Sequence, residues 1–300
     1  MRRLLAILVI PFLLPAAAHA RLFGDGERYA AYDDGHGTVH VLDDAGTEHV
    51  LATPAGCRFA AVGAGRVLFD CTANRVPRAV VVEVLTGNTT ELQSAADAPL
   101  AGEVAYDAVG EQWARIRAAG TSWHALVYVP LAGGETRGGV SQADVATIPA
   151  TTVVADLDTS ALETRMCAPL RIPRAGPEES FAAQYRSGVL LLDHIFGYAP
   201  VRQTLALQRC GQRKPTVIST CATGCMTPTL GSTAVAWRER GGAVAYRTLS
   251  GRAHRWTPVS GAREVALTAG RVVVLRRDGE VVSRPLAPRP LRAGAARGGP

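Results

Sequence analysis

The chain has 300 residues, 47% of them hydrophobic and 19% charged, and 32 Lys and Arg face 26 Asp and Glu for a formal charge of +6. That length supports one large domain with its own core. The basic residues are spread along the chain, with only short pairs such as Arg276-Arg277, whereas a nucleic-acid protein gathers them into a stripe or patch; no nucleic-acid partner is expected.

The first 20 residues read as a signal peptide. Arg2 and Arg3 form a positive start, Leu4 to Leu14 is apolar but for Pro11, and Ala18-His19-Ala20 has the small-x-small form of a cleavage site before Arg21. The apolar stretch is shorter than the ~20 residues that cross a bilayer, so no membrane span is expected. An exported chain is therefore predicted.

From there on, strands are short, rich in Val, Ala, Leu and Tyr, and separated by Gly, Asp-Gly or Pro turns. Tyr29 to Tyr32, Thr38 to Leu42 and Glu48 to Leu51 form a first unit without an obvious inner strand. A complete unit follows: Phe59 to Val62, Arg66 to Cys71, Ala79 to Leu85 and Thr89 to Leu92. Its third strand is almost wholly apolar, as befits a strand covered on both faces. Further units are expected from Gly102 to Val129, from Ala143 to Arg171, from Phe181 to Thr220, from Leu230 to Pro258 and from Glu264 to Leu286. The last of these lacks an outer strand. Residues 287–300, rich in Pro, Gly, Arg and Ala, read as a disordered tail after a domain spanning 21–286.

One motif returns on an arithmetic beat. Ala64-Gly65-Arg66-Val67-Leu68-Phe69 reappears as Ser187-Gly188-Val189-Leu190-Leu191 and as Ala269-Gly270-Arg271-Val272-Val273-Val274. Its glycines stand 188 − 65 = 123 and 270 − 188 = 82 residues apart, three and two steps of 41. Phe59-Ala60-Ala61 and Phe181-Ala182-Ala183 precede the first two copies alike. A period of ~40 residues carrying strand–turn–strand text marks propeller blades. The prediction is an all-β propeller of four-stranded antiparallel blades, with seven blades favoured over six. Its chain ends meet to close the ring, which removes exposed sheet edges.

In period and strand order, residues 27–286 resemble secreted propellers of the TolB-like and WD40-like kind. The Trp-Asp dipeptide of WD40 blades is absent, so the resemblance brings no functional residues with it.

Six cysteines in an exported chain read as disulfides, with no metal site. Cys57 and Cys71 flank a hairpin that brings them opposite each other. Cys167, Cys210, Cys221 and Cys225 allow three pairings; Cys210 and Cys221 bracket a second hairpin, which favours that pair and leaves Cys167 with Cys225. A zinc site at Cys221-x-x-x-Cys225 lacks a second paired cluster.

Other polar residues read as structural. His36, His40 and His49 suit strand and turn positions, and His194 beside Asp193 points to the opposite face of a strand. Asp33-Asp34 and Asp43-Asp44 precede hairpin glycines, Glu178-Glu179 lies in a loop, and Asp156 to Ser160 is an incomplete calcium-like pattern. Trp113, Trp123, Trp237 and Trp256 fall on strands or strand ends. No catalytic residue or cofactor is assigned. The expected function is that of an exported, monomeric, non-catalytic module binding a protein or carbohydrate. The alternative is a secreted hydrolase or lyase acting on polysaccharide.

Overall fold

The structure is a computed structural model that describes residues 20–74, 76–93, 103–111, 113–119, 124–133, 137–141, 179–185, 188–193, 203–209, 216–221, 225–249 and 251–286. These residues form six antiparallel sheets and no helix. The signal sequence, the unit expected over 143–171 and the tail lie outside the described residues, as do His194, Trp123, Cys167 and Cys210.

The first sheet holds β1 (Leu22–Gly24), β2 (Tyr29–Asp33), β3 (Thr38–Asp43) and β4 (Glu48–Ala52). The second holds β5 (Arg58–Gly63), β6 (Arg66–Asp70), β7 (Arg78–Glu83) and β8 (Thr89–Gln93). The third consists of β9 (Glu103–Val109), β10 (Trp113–Ala119), β11 (His124–Pro130) and β12 (Arg137–Ser141). Next come β13 (Glu179–Tyr185), β14 (Gly188–Asp193), β15 (Gln203–Arg209) and β16 (Thr216–Cys221). The fifth sheet is β17 (Cys225–Leu230), β18 (Ala234–Glu239), β19 (Val244–Thr248) and β20 (Ala253–Trp256). The sixth stops at three: β21 (Ala262–Leu267), β22 (Arg271–Arg276) and β23 (Val281–Pro285). In every sheet the strands lie in chain order. The first unit, expected to lack an inner strand, supplies its own: Leu22 pairs with Tyr32 and Gly24 with Ala30. Three residues between the cleavage motif and the turn at Asp25 carry too little alternation to read as a strand.

Neighbouring sheets pack face to face, which explains the unbroken apolar runs. On β6, Val67 and Phe69 join Tyr29, Ala31, Val39 and Val41 of the first sheet, whereas Leu68 joins Tyr106 and Ile116 of the third. Ala79 and Val81 of β7 face the third sheet, and Val80, Val82 and the adjoining Val84 face the first. Comparable cores join the fourth sheet to the fifth and the fifth to the sixth. Leu22 and Ala30 pack with Ala266, Val273 and Leu275, joining the first sheet to the sixth. The chain ends thus meet by packing, with no strand exchanged between sheets.

The repeated text has a local cause. Ala64 and Gly65 both have positive φ (50° and 77°), the two-residue turn whose twist suits a hairpin. The preceding Phe-Ala-Ala marks a bulge: register shifts between Phe59 and Ala61, and again between Phe181 and Ala183. First strands of the third, fifth and sixth sheets carry shifts of the same kind. A bulge sharpens strand twist.

First strands also touch those of adjoining sheets, and glycine permits the approach. A Cβ on Gly24 would lie 2.7 Å from Leu267 O, one on Gly231 2.7 Å from Gly26 O, and one on Gly63 only 2.1 Å from Val109 O. Gly26 is a junction of three sheets: its N–H donates to Leu267 O (3.1 Å) and its carbonyl accepts from Ser232 N–H (2.9 Å). Ala269 N–H bonds Glu27 O beside it (2.7 Å). Gly63→Ala forces backbone apart with no flexible side chain to yield, so it is expected to cost roughly 1–3 kcal/mol in urea denaturation. An unchanged midpoint would show that the second and third sheets are not locked there.

The turn before Gly26's neighbours depends on Asp25, only 3% exposed, whose Oδ1 accepts the N–H groups of Glu27, Arg28 and Tyr29 (2.8, 2.8 and 2.9 Å). Burial raises its pKa from 3.8 to about 6, although those N–H groups pull the other way. Asp25 therefore binds its proton more tightly folded than unfolded. Its contribution to stability is full below about pH 4 and is lost as pH rises through about 6. Asp25→Asn keeps the acceptor but cannot ionise. The variant should match the parent near pH 4 and exceed it by up to about 3 kcal/mol at pH 7, as read from urea melts. A difference independent of pH would contradict this.

Candidate functional site

The disulfides are set by strand register. Arg58 pairs with Asp70, so Cys57 and Cys71 stand opposite each other, bridged with Cα atoms 4.1 Å apart. The second bridge corrects the expected pairing: Cys221 joins Cys225, Cα atoms 5.5 Å apart, not Cys210. Cys221 lies opposite Gln203, at the far end of the hairpin from Arg209, and strand rise separates those ends by roughly 20 Å. Cys221 ends the fourth sheet and Cys225 begins the fifth, so this bridge clips two sheets together. Replacing Cys57 and Cys71 together by Ser should cost ~3 kcal/mol by freeing the loop in the unfolded chain. Non-reducing peptide mapping should recover Cys221 and Cys225 on one linked species; Cys221 found with another cysteine would refute the register.

Beside the first bridge lies a cleft of about 550 Å³ lined by Pro54, Cys57, Cys71, Arg78, Glu91 and Gln93, among others. Among the described residues that line it, Arg78 and Glu91 contribute one charge of each sign.

The acidic pairs do turn work. Asp33 accepts from Gly35 N–H, Asp34 from His36 and Thr38 N–H, and Asp43 from Thr47 N–H. Asp44 instead ties the first sheet to the sixth by accepting Gly270 N–H at 3.0 Å. Trp237 and Trp256 are buried in core, and Arg284 lies 4.4 Å over the Trp256 ring. Glu179 opens β13, while Glu178 and Asp156 to Ser160 lie outside the described residues. Among the described residues no group of His, Cys, Asp and Glu is placed to hold a metal ion. No helix among them is long and apolar enough to cross a membrane.

The histidines separate. His49 pairs with Val41 on the face towards the second sheet, with its ring 6.4 Å from that of Tyr29. His36 sits in the turn before β3. His40 belongs to a cross-strand row on the other face: Leu22, Tyr32, His40 and Val50 are paired in succession from β1 to β4. Tyr32 and His40 stack at 4.8 Å. His40 Nδ1 lies 2.9 Å from Glu48 Oε1 and Nε2 lies 3.7 Å from Asp34 Oδ2. Tyr32 donates its hydroxyl to Glu48 at 3.2 Å, and its pKa is pushed up to about 12, first by burial and then by that carboxylate. With Nδ1 held by Glu48 and the ring stacked on Tyr32, His40 is organised to fix a surface. At the rim of the row Val50 is 59% exposed, and among the described residues the facing sixth sheet has three strands. The short last unit was legible in the sequence; that it faces this row was not.

The free edge is itself guarded. Leu286 N–H bonds Gly270 O and Arg276 N–H bonds Glu280 O, so residues 281, 283 and 285 turn their backbone outward. Pro285 removes one of those outward donors.

No family model matches the chain, and no curated protein does. Solved structures match by fold. BamB from Moraxella catarrhalis is 12% identical, with 88% of this chain and 83% of that one covered and a TM-score of 0.41. TolB from Acinetobacter baumannii is 12% identical over 87% of this chain and 62% of its own length, with a TM-score of 0.45. Sqt1 of Saccharomyces cerevisiae is 10% identical over 88% and 69%, with a TM-score of 0.31. This chain thus spans less than two thirds of the length of TolB. Among the described residues the architecture is all-β, five four-stranded antiparallel sheets and one of three strands.

Proposed function

We propose that the protein is an exported propeller that acts by binding a partner protein at or outside the cell envelope. The observation that carries this reading is the Tyr32–His40–Val50 row, held rigid by Glu48 and by ring stacking and left open beside a three-stranded sheet. Stacked aromatics around an exposed apolar tip form a low-entropy contact surface. Export is supported by the N-terminal Arg2-Arg3 and Ala18-His19-Ala20 pattern and by two disulfides. Cleavage before Arg21 would keep Arg21 O in place to accept Asp33 N–H (3.2 Å).

A photo-crosslinking amino acid at Val50 tests the reading, with the same residue at Val259 as control. Val259 is 76% exposed on the connection between the fifth and sixth sheets. In the native host, a discrete adduct is expected from Val50 and none from Val259, in a fraction whose protein begins at Arg21. Equal labelling from both positions would defeat the assignment. So would release of reducing or unsaturated sugar ends from polysaccharide by the purified protein.

A further inference from the structure

A cluster of guanidinium groups at the junction of the fifth and sixth sheets is short of acceptors. Arg238 lies near the end of β18 and shares the face of Ala234 and Ala236 towards the sixth sheet. Its Nε is buried and has no hydrogen-bond partner. Arg263 is the bulged residue at the start of β21, and its Nη2 is likewise buried without a partner. Arg277 follows β22, anchored by its N–H to Gly261 O (3.1 Å). Its guanidinium lies over the backbone of Gly242 and Gly261: a Cβ there would sit 3.4 Å from its Nη2 and 3.7 Å from its Cζ. These glycines give it a flat floor.

The carboxylates nearby are committed elsewhere. Asp278 and Glu280 bind Arg276 at 2.6 and 2.5 Å, and Ser260 takes its Nε at 3.2 Å. Glu239 holds Arg255 at 2.8 Å. Glu264 spends one oxygen on Leu22 N–H (2.6 Å) and stands 3.7 Å from Arg263 through the other. Arg238 and Arg263 therefore share the partly used Glu264 carboxylate. Among the described residues neither Arg238 nor Arg277 has an ion pair. Buried guanidinium N–H groups without acceptors are costly, and like charges crowded together add to that cost.

We propose that Arg238 and Arg277 form an oxyanion site that takes the carboxylate of an acidic segment on a partner protein. A guanidinium fork pairs with two carboxylate oxygens in one plane, and a bound carboxylate supplies the missing acceptors and the missing charge at once. Burial and the Arg277 charge together hold Arg238 below the usual arginine range, against the pull of Glu264. A bound anion would act in the opposite direction. The site rests on the reading of this protein as an interaction module. Its test uses no natural partner, so failure here and failure of the Val50 contact are separately visible.

The test is NMR of the full chain labelled with ¹⁵N-arginine, following the Nε–Hε signals. Hexaglutamate and inorganic phosphate are titrated separately at constant ionic strength. Saturable shifts of the Arg238 and Arg277 signals are expected with hexaglutamate, with weaker binding of phosphate. Arg277→Gln should weaken the peptide about tenfold, the loss of one charge-assisted contact. Arg238→Gln is an independent second variant with the same expected direction and remains informative if the first does not fold. No saturable shift, or peptide affinity unchanged in both variants, would overturn the site. Phosphate binding more tightly than the peptide would overturn its assignment to an acidic protein segment.

Discussion

The arrangement hinges on a backbone junction no larger than one glycine. Gly26 donates to the sixth sheet and accepts from the fifth while belonging to the first. Thr233 reinforces the same place by donating its hydroxyl to Ala269 O at 2.6 Å. A Cβ on the neighbouring Gly231 would strike Gly26 O, and the turn that presents Gly26 is held by a buried carboxylate accepting three N–H groups. Bonds made backbone to backbone leave the first, fifth and sixth sheets little freedom to turn against one another.

Covering both faces of the first, second, fifth and sixth sheets has a chemical consequence. Strand interiors become apolar on alternate sides, so polar groups gather at strand ends, bulges and outer strands. Asp70 illustrates this: at the end of β6 it accepts Tyr106 N–H of the next sheet at 3.1 Å and pairs with Arg58 at 3.0 Å. Within the third sheet, Arg115 and Asp107 of adjoining strands are joined at the bulge through two hydrogen bonds of 2.8 and 3.0 Å. These polar groups are consumed within and between sheets. The Tyr32 row and the arginine cluster differ in their neighbours, one facing a sheet of three strands and the other lacking free acids.

Much of the fold was legible because its signals are local. The Gly65 and Gly270 repeats mark the hairpin that joins the first two strands of a sheet, and Phe59-Ala60-Ala61 marks a bulge whose geometry recurs. Leu22 to Gly24 was not legible as a strand, since its pairing is decided by Tyr32 and its burial by Ala266 and Val273. Cys221 was misassigned for a related reason. Two cysteines bracketing a hairpin look opposed in the sequence, but register places Cys221 against Gln203. The exposure of Val50 and the unpaired state of Arg238 depend on what distant strands bring beside them, and no local pattern encodes that.

Because each described sheet is completed within one contiguous stretch of chain, no strand has to wait for a distant partner. A polypeptide emerging N-terminus first during synthesis can finish one sheet before the next emerges, so early contacts are short-range and fast to form. The step that must wait is the docking of Gly26 onto residues 232 and 267, which arrive last. Until then the first sheet carries one apolar face open to solvent. During that interval a chaperone would find its binding surface on the face of Leu22, Ala30 and Tyr32.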